Sequence, residues 1–245
     1  MNNTAENMDN NQQETVSKGF DFQAIIERAK EIILTPDIAF EKIRAERTSI
    51  PDIYKNYLLV IAAIGAIANW IKFSVIGITV FGITVRQPIF TGLISGVLMY
   101  GLQMVMIYVS ALILEKLAPK FEGSASIENT FKLVAYAGTP AAIAAGFVIV
   151  PWFGPLIMIA GAVYSIYLIF KALPKFVEVP EGKRHVYMAA SIGCIFVAGL
   201  IMSLIVGSID PAMNYRRVDY GSQGTVDLNE LEEKMKNLQN FLPKS

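Results

Sequence analysis

Chemistry inside a bilayer needs side chains that carry protons, metals or nucleophiles, and this chain has few of them in places where they could act. His185 is the only histidine and Cys194 the only cysteine, which excludes His-rich metal centres, multi-cysteine zinc or iron–sulfur sites and an internal disulfide framework. His185 sits in a basic connection and reads as a solvated or headgroup-facing side chain. Cys194, inside an apolar stretch, reads as a small buried hydrophobe. No Asp or Glu occurs between Asp52 and Glu115, between Glu128 and Glu178, or between Glu181 and Asp210, so the apolar stretches lack the carboxylates on which proton relays and most cation-coupled transporters depend. G-x-S-x-G, H-E-x-x-H and G-x-x-x-x-G-K-[ST] are absent as well. The sequence predicts no enzyme, no cofactor and no metal site.

The remaining candidates are polar or small residues at membrane depth. Asn69 and Gln103 should hydrogen-bond to neighbouring helices or line a polar cavity. Pro140, with Thr139 before it and Tyr136 one turn earlier, should kink its helix and free a carbonyl near residue 136, either as a structural bend or as a hinge. Tyr164 is a further polar group inside a span. Gly92 and Gly96 form G-x-x-x-G, which permits close helix approach within the bundle or at a homodimer face. Looser small-residue pairs are Ala62/Ala66, Ala142/Gly146, Gly161/Ser165, Ala189/Gly193 and Ser203/Gly207.

The elements that hold these residues follow from composition. With 53% hydrophobic and 17% charged residues and a mean hydropathy of +0.45, the chain is too apolar for an ordinary globular surface. Its zero net charge gives no general attraction to nucleic acid. Crossing about 30 Å of hydrocarbon takes roughly 20 apolar residues, and five stretches qualify: 54–73, 89–114, 130–150, 153–173 and 187–209. The expected fold is all-α, a polytopic membrane bundle of five transmembrane helices. Lys42, Arg44, Arg47, Lys55, Lys116, Lys120, Lys132, Lys171, Lys175, Lys183 and Arg184 flank one side, against Arg86, Arg216 and Arg217 on the other. The positive-inside rule then puts the N-terminus in the cytoplasm and the C-terminus outside.

Residues 1–20, rich in Asn and Gln, read as a disordered cytoplasmic tail with no signal-peptide core. Within 21–50, Phe22, Ile25, Ile26, Ala29, Ile32 and Ile33 recur at helical spacing, which makes an amphipathic helix. Thr35-Pro36-Asp37 starts a second short helix, and Ser49-Ile50-Pro51-Asp52 caps the first span. Gly77 to Val85 reads GITVFGITV, an interfacial hairpin or a helical extension of the first span. After the membrane domain, 51–209, the tail 210–245 should begin with a loop from Asp210 to Thr225. It should end in an amphipathic helix over 228–242 that lies on the outer surface or mediates self-association.

FKLVAYAGTPAAIA at 131–144, YSIYLIFKALPKFVEVPEGKRHVY at 164–187 and AKEIILTPDIAFEKI at 29–43 occur in that order around five spans. The chain thereby resembles the prokaryotic branch of the Yip family, named for proteins that interact with Ypt/Rab GTPases. Tyr136, Thr139 and Pro140 match the position of the family's Tyr-containing third-span motif. The resemblance implies a non-catalytic membrane protein; the eukaryotic signature Asp-Leu-Tyr-Gly-Pro is absent, so no GTPase partner is carried over. The leading expectation is a membrane organising or adaptor protein in a prokaryotic cell membrane. It would bind lipids or a protein partner not identified by the sequence, with a homo-oligomer through Gly92 and Gly96 as one arrangement. Lys42, Arg44, Arg47, Lys171, Lys175, Lys183 and Arg184 are its candidate contacts to anionic lipid. The competing expectation is a transporter, channel or lipid-translocating protein whose passage is lined by Asn69, Gln103, Tyr136 and Tyr164.

Overall fold

A computed structural model describes residues 22–80, 83–209, 217–220, 225–227 and 232–237. Two short helices, α1 (Phe22–Leu34) and α2 (Pro36–Ala45), precede α3 (Ile50–Ile76), α4 (Ile89–Leu117), α5 (Ile127–Ala137), α6 (Thr139–Ala145), α7 (Phe153–Phe176) and α8 (Glu181–Ile209). Among the described residues five segments are long and apolar enough to cross a membrane: Ile50–Ile76, Ile89–Phe121, Ile127–Ile149, Phe153–Phe176 and Glu181–Gly207. The architecture is an all-α polytopic bundle, and the third crossing is made of α5 and α6 in series.

Local sequence explains the helix ends. The Ser49 side chain accepts from the Asp52 amide and Pro51 sits in the first turn, so two of the orphan N-terminal positions are satisfied or need no donor. Pro36 does the same for α2 after Thr35, though without a side-chain cap. The α3 helix contains two π-helical stretches, Tyr54–Leu58 and Ile71–Ile76, and ends at Gly77, whose φ of 85° suits glycine.

The α1 and α2 helices do not lie free. Ile25, Ala29 and Ile32 of α1 and Ala39, Phe40 and Ile43 of α2 are buried in one core with Ile53, Leu114, Phe131, Leu173 and Tyr187. Burying a side chain such as Phe40, which meets Phe176 edge to face at 6.1 Å, is worth about 1.5–3 kcal/mol against water. The core is therefore concentrated where α1 and α2 dock. The same end is tied by a β-bridge between Ser124 and Glu178 that joins the second and fourth connections.

At the opposite end β1 (Ile78–Val80) and β2 (Ile83–Arg86) form an antiparallel hairpin, with Ile78 opposite Val85. It continues into β3 (Arg217–Tyr220) and β4 (Thr225–Asp227) as a four-stranded sheet in the order β1-β2-β3-β4. The stretch expected to be a loop from Asp210 to Thr225 thus contains a strand. Its Arg217 to Tyr220 backbone groups find partners along the free edge of β2, an edge that a reading of the tail alone does not supply. Residues 232–237 are helical; the rest of the helix expected over 228–242, and the tail at 1–20, lie outside the described residues.

Candidate functional site

The third crossing bends where its sequence said it must, and the bend decides what the bundle can hold. The α5 helix stops at Ala137 and α6 begins at Thr139 with Pro140 in its first turn. The carbonyl of Tyr136 accepts from Thr139 Oγ1 at 2.7 Å, and the Ala141 amide donates to Ser165 Oγ of α7 at 3.0 Å, so the broken ladder is repaired by side chains. Since the Thr139 hydroxyl hydrogen is spent on Tyr136, Tyr57 OH is the donor to Thr139 Oγ1 at 2.8 Å. Tyr57 and Tyr136 meet at 4.8 Å between ring centroids, and Tyr54 meets Phe131 at 5.0 Å.

Before the bend α5 packs on α4; after it α6 packs on α3 and α7. Gly161 permits that α6–α7 contact, because a Cβ there would fall 2.4 Å from Ala144 Cβ and 2.9 Å from the Pro140 carbonyl. Gly65 does the same for α3, its Cβ position being 2.8 Å from Ala145 Cβ. With α6 drawn to that side, a cavity of about 570 Å³ opens between α3, α4 and α6. That size falls within the range of small-molecule and lipid sites.

Asn69, Gln87, Ser95, Tyr100 and Gln103 supply its polar lining, and Ala62, Phe73, Met99 and Ala145 part of its apolar lining. Gly92 and Gly96 line it too; a Cβ on Gly92 would overlap the hydroxyl of Ser74, which is buried without a hydrogen-bond partner among the described residues, whereas one on Gly96 would lie 3.9 Å from Trp70 Cβ. Asn69 Nδ2 donates back to Gly65 O at 2.8 Å. Gln103 is exposed and its amide meets no partner among the described residues. The α3–α4 crossing is clamped from both sides, Tyr54 OH donating to Met104 O at 2.8 Å and Tyr100 OH to Leu59 O at 2.7 Å. More than a turn nearer the start of α3, the ring pairs Tyr54/Phe131 and Tyr57/Tyr136 pack between α3 and α5.

Of the four residues expected to line a passage, then, the structure gathers Asn69 and Gln103 and leaves the other two elsewhere. Tyr136 pairs with Tyr57 outside the cavity lining. Tyr164 stacks on Tyr167 at 5.8 Å and donates to the Ile33 carbonyl of α1 at 2.7 Å, so it anchors the N-terminal helices. Sequence reasoning passed over Gln87, Ser95, Tyr100 and Tyr57. The signal for two of them was present: Gly92, Ser95, Gly96, Met99, Tyr100 and Gln103 are spaced by three and four, which makes one helix stripe.

The basic residues form a second constellation, around α1 and α2. Lys42 pairs with Glu31 at 2.6 Å, Lys171 with Asp37 at 2.8 Å, Lys175 with Glu41 at 2.9 Å and Lys183 with Glu122. Arg28 pairs with Glu46, and Lys132 Nζ donates to the Glu46 carbonyl. Arg184 lies 3.8 Å from Glu181. The Lys42 ammonium holds Glu31 below its usual carboxylate pKa by hydrogen bonding, and Lys171 does the same to Asp37. Arg44 and Arg47 are exposed, and Arg44 borders a shallow pocket with Asn129, Lys175 and Glu178. Of the seven expected lipid-binding cations, Lys171 and Lys175 thus tie α2 to α7, Lys42 ties α2 to α1, and Lys183 and Arg184 pair elsewhere in the chain, while Arg44 and Arg47 are the exposed pair outside those bridges. Phe22, Ile26, Leu34 and Ile38 of α1 and α2 are exposed as well.

Among the described residues no group of three or more His, Cys, Asp or Glu could hold a metal ion. The Yip1 domain matches residues 30–203. Over 176 residues the chain is 25% identical to the inner membrane protein YohC of Escherichia coli strain K12, a match covering 70% of this chain and 90% of the relative, and the same figures hold for YohC of Escherichia coli O6:H1. No solved structure matches. Five membrane-capable helices and a relative named for the inner membrane are consistent with a multi-pass protein of the cell membrane. With the domain match covering the α1-to-α8 bundle, the chain belongs to the Yip1 domain family.

Proposed function

We propose that the protein is a non-enzymatic membrane organising or adaptor protein, which meets anionic lipid and protein partners through the α1–α2 platform at the cytoplasmic end of its bundle. One observation carries this reading: the docked α1 and α2 helices leave Phe22, Ile26, Leu34 and Ile38 exposed, and the cations Lys30, Arg44, Arg47 and Lys55 at this end of the chain are exposed as well. Such a surface matches a headgroup region, where apolar side chains enter the acyl boundary and each cation near the surface adds about 1 kcal/mol. The excess of Lys and Arg at this end supports its cytoplasmic placement, and the inner membrane relatives support a cell-membrane location.

The test is a variant with Phe22→Ser, Ile26→Ser, Arg44→Glu and Arg47→Glu, all at exposed positions. It should insert and melt like the parent but lose the phosphatidylglycerol and any protein that co-purify with the parent. Retention of both at parental levels overturns the reading.

A transporter or lipid-translocating protein is the second reading, and the cavity between α3, α4 and α6 is what favours it. Liposomes holding the protein that move neither ions nor labelled lipid would dispose of it.

A further inference from the structure

We infer that the cleft beside α3 and α4 is a binding site for a bilayer amphiphile with an uncharged, hydrogen-bonding head and an acyl tail. This goes beyond the platform described above and does not depend on it. The α3–α4 crossing has a space on each side. The first is the cavity of about 570 Å³ whose lining mixes amides and hydroxyls with apolar groups. The second is a groove of about 270 Å³ lined by Ile67, Leu93, Val97 and other apolar side chains. Ala66, Trp70, Gly96 and Tyr100 border both, so the two spaces adjoin across the α3–α4 contact, one mixed in character and the other apolar. An amphiphile has that division of character, and a bilayer supplies amphiphiles in excess.

Charge selects the class. Among the described residues no Asp, Glu, Lys or Arg lines either space. Lys72 and Arg86 precede the lining residues Phe73 and Gln87 in the chain, but Lys72 lines neither space and Arg86 Nε donates to the Ile76 carbonyl at 3.3 Å. A phosphate or carboxylate in the cavity would lose water and gain no counter-charge, which is strongly unfavourable. A hydroxyl, ester or amide head would instead meet the Asn69, Gln87 and Gln103 amides and the Ser95 and Tyr100 hydroxyls. Gln103, exposed and without a partner, stands at the cavity's edge with donors and acceptor free.

The chain carries its own reporter. It has two tryptophans, Trp70 on the border of both spaces and Trp152 exposed in the turn before α7. In the full chain with Trp152→Phe, reconstituted in phosphatidylglycerol vesicles, Trp70 fluorescence is quenched by dibrominated acyl chains that reach it. Dibrominated diacylglycerol at low mole fraction should quench about five- to tenfold more strongly than dibrominated phosphatidylglycerol at the same fraction, the effect of one or two hydrogen bonds at membrane depth. Gly96→Leu, on the border of both spaces, should bring the two lipids to parity. Gln103→Leu, at an exposed position that disturbs no packing, should reduce the preference while leaving the melting temperature unchanged. Equal quenching by the two lipids in the parent, or stronger quenching by the anionic one, overturns the assignment. So does a preference that survives both substitutions. The preference should persist in the Phe22, Ile26, Arg44 and Arg47 variant, which separates this site from the platform.

Discussion

The hydrogen bond from Tyr57 to Thr139 is a single link between α3 and the bend, and it is coupled to the one Thr139 makes to the Tyr136 carbonyl. Thr139→Val removes both and leaves a buried phenol and a carbonyl unsatisfied, at about 1–3 kcal/mol. Tyr57→Phe removes one and should cost about 0.5–1 kcal/mol, near the average for hydrogen bonds between membrane helices. The double variant should fall short of the sum, because Tyr57→Phe takes away the phenol that Thr139→Val would orphan; stepwise unfolding in mixed micelles reads all three. The glycines give a second contrast. Gly161→Ala must push Ala144 or the Pro140 backbone aside and should destabilise by about 1–3 kcal/mol. Gly193→Ala and Gly199→Ala point into open space and should be neutral or gain up to about 1 kcal/mol from helix propensity. Equal melting temperatures for Gly161→Ala and Gly193→Ala would show that α6 and α7 are not in the close contact described. The identity of these residues was readable, since Pro140 and the small-residue spacings are local signals. Which helix each glycine faces was not, because spacing fixes a face of one helix and says nothing about what lies across from it.

The α1–α2 platform is held by two kinds of force with different sensitivities. The buried faces of Ile32, Phe40 and Ile43 respond weakly to pH or salt, whereas the bridges from Lys42 to Glu31 and Lys171 to Asp37 respond to both. The Glu31 pKa is lowered by Lys42 where α1 meets α2, and that of Asp37 by Lys171 where α2 meets α7, so each contribution is present above the unfolded carboxylate range, about 4, and is lost as pH falls through the depressed folded value. Both carboxylates are solvent-exposed and screened, which keeps the contribution of each bridge small. Acidification below about pH 4 should therefore loosen the platform without expelling it, and so should salt of about 1 M at neutral pH, where the Debye length shrinks to about 3 Å. A nitroxide at Ile38→Cys, in a Cys194→Ser background, should gain mobility in both conditions and recover on return; unchanged spectra would mean that the ion pairs contribute nothing to docking. The periodicity of α1 made it an amphipathic helix and left its partner open. Its apolar residues occupy more than one face, Ile25, Ala29 and Ile32 toward the bundle and Phe22 and Ile26 away from it, and only the assembled fold assigns each face. The sheet shows the same limit. GITVFGITV leaves a hairpin and a helical extension both open, and β3 takes its strand conformation from β2, more than a hundred residues earlier in the chain.

Across the whole molecule the five crossings follow from composition, since hydrocarbon thickness sets a length that an apolar run either reaches or does not. The cavity does not, because it exists only through the divergence of α4 from α6 after a bend in a third helix. The structure also fixes that α1 and α2 pack at one end and the four strands at the other, which leaves one binary question, the direction of the bundle in the membrane. Eleven Lys and Arg residues flank the span ends on the α1–α2 side against Lys72, Arg86, Arg216 and Arg217 on the strand side, and short loops with that bias are retained in the cytoplasm. Many of the eleven are also structural, with Lys42, Lys171, Lys175 and Lys183 in ion pairs, but insertion precedes those pairs and reads the charges unpaired. In a Cys194→Ser background, a cysteine replacing Arg47 should react with a membrane-impermeant maleimide in inverted membrane vesicles and stay protected in spheroplasts. A cysteine replacing Trp152, exposed in the turn at the other end, should show the opposite pattern. Reversal of both patterns would place α1 and α2 outside the cell and remove the cytoplasmic leaflet as the surface they meet; labelling of both sites from both sides would indicate dual insertion, which an eleven-to-four bias argues against.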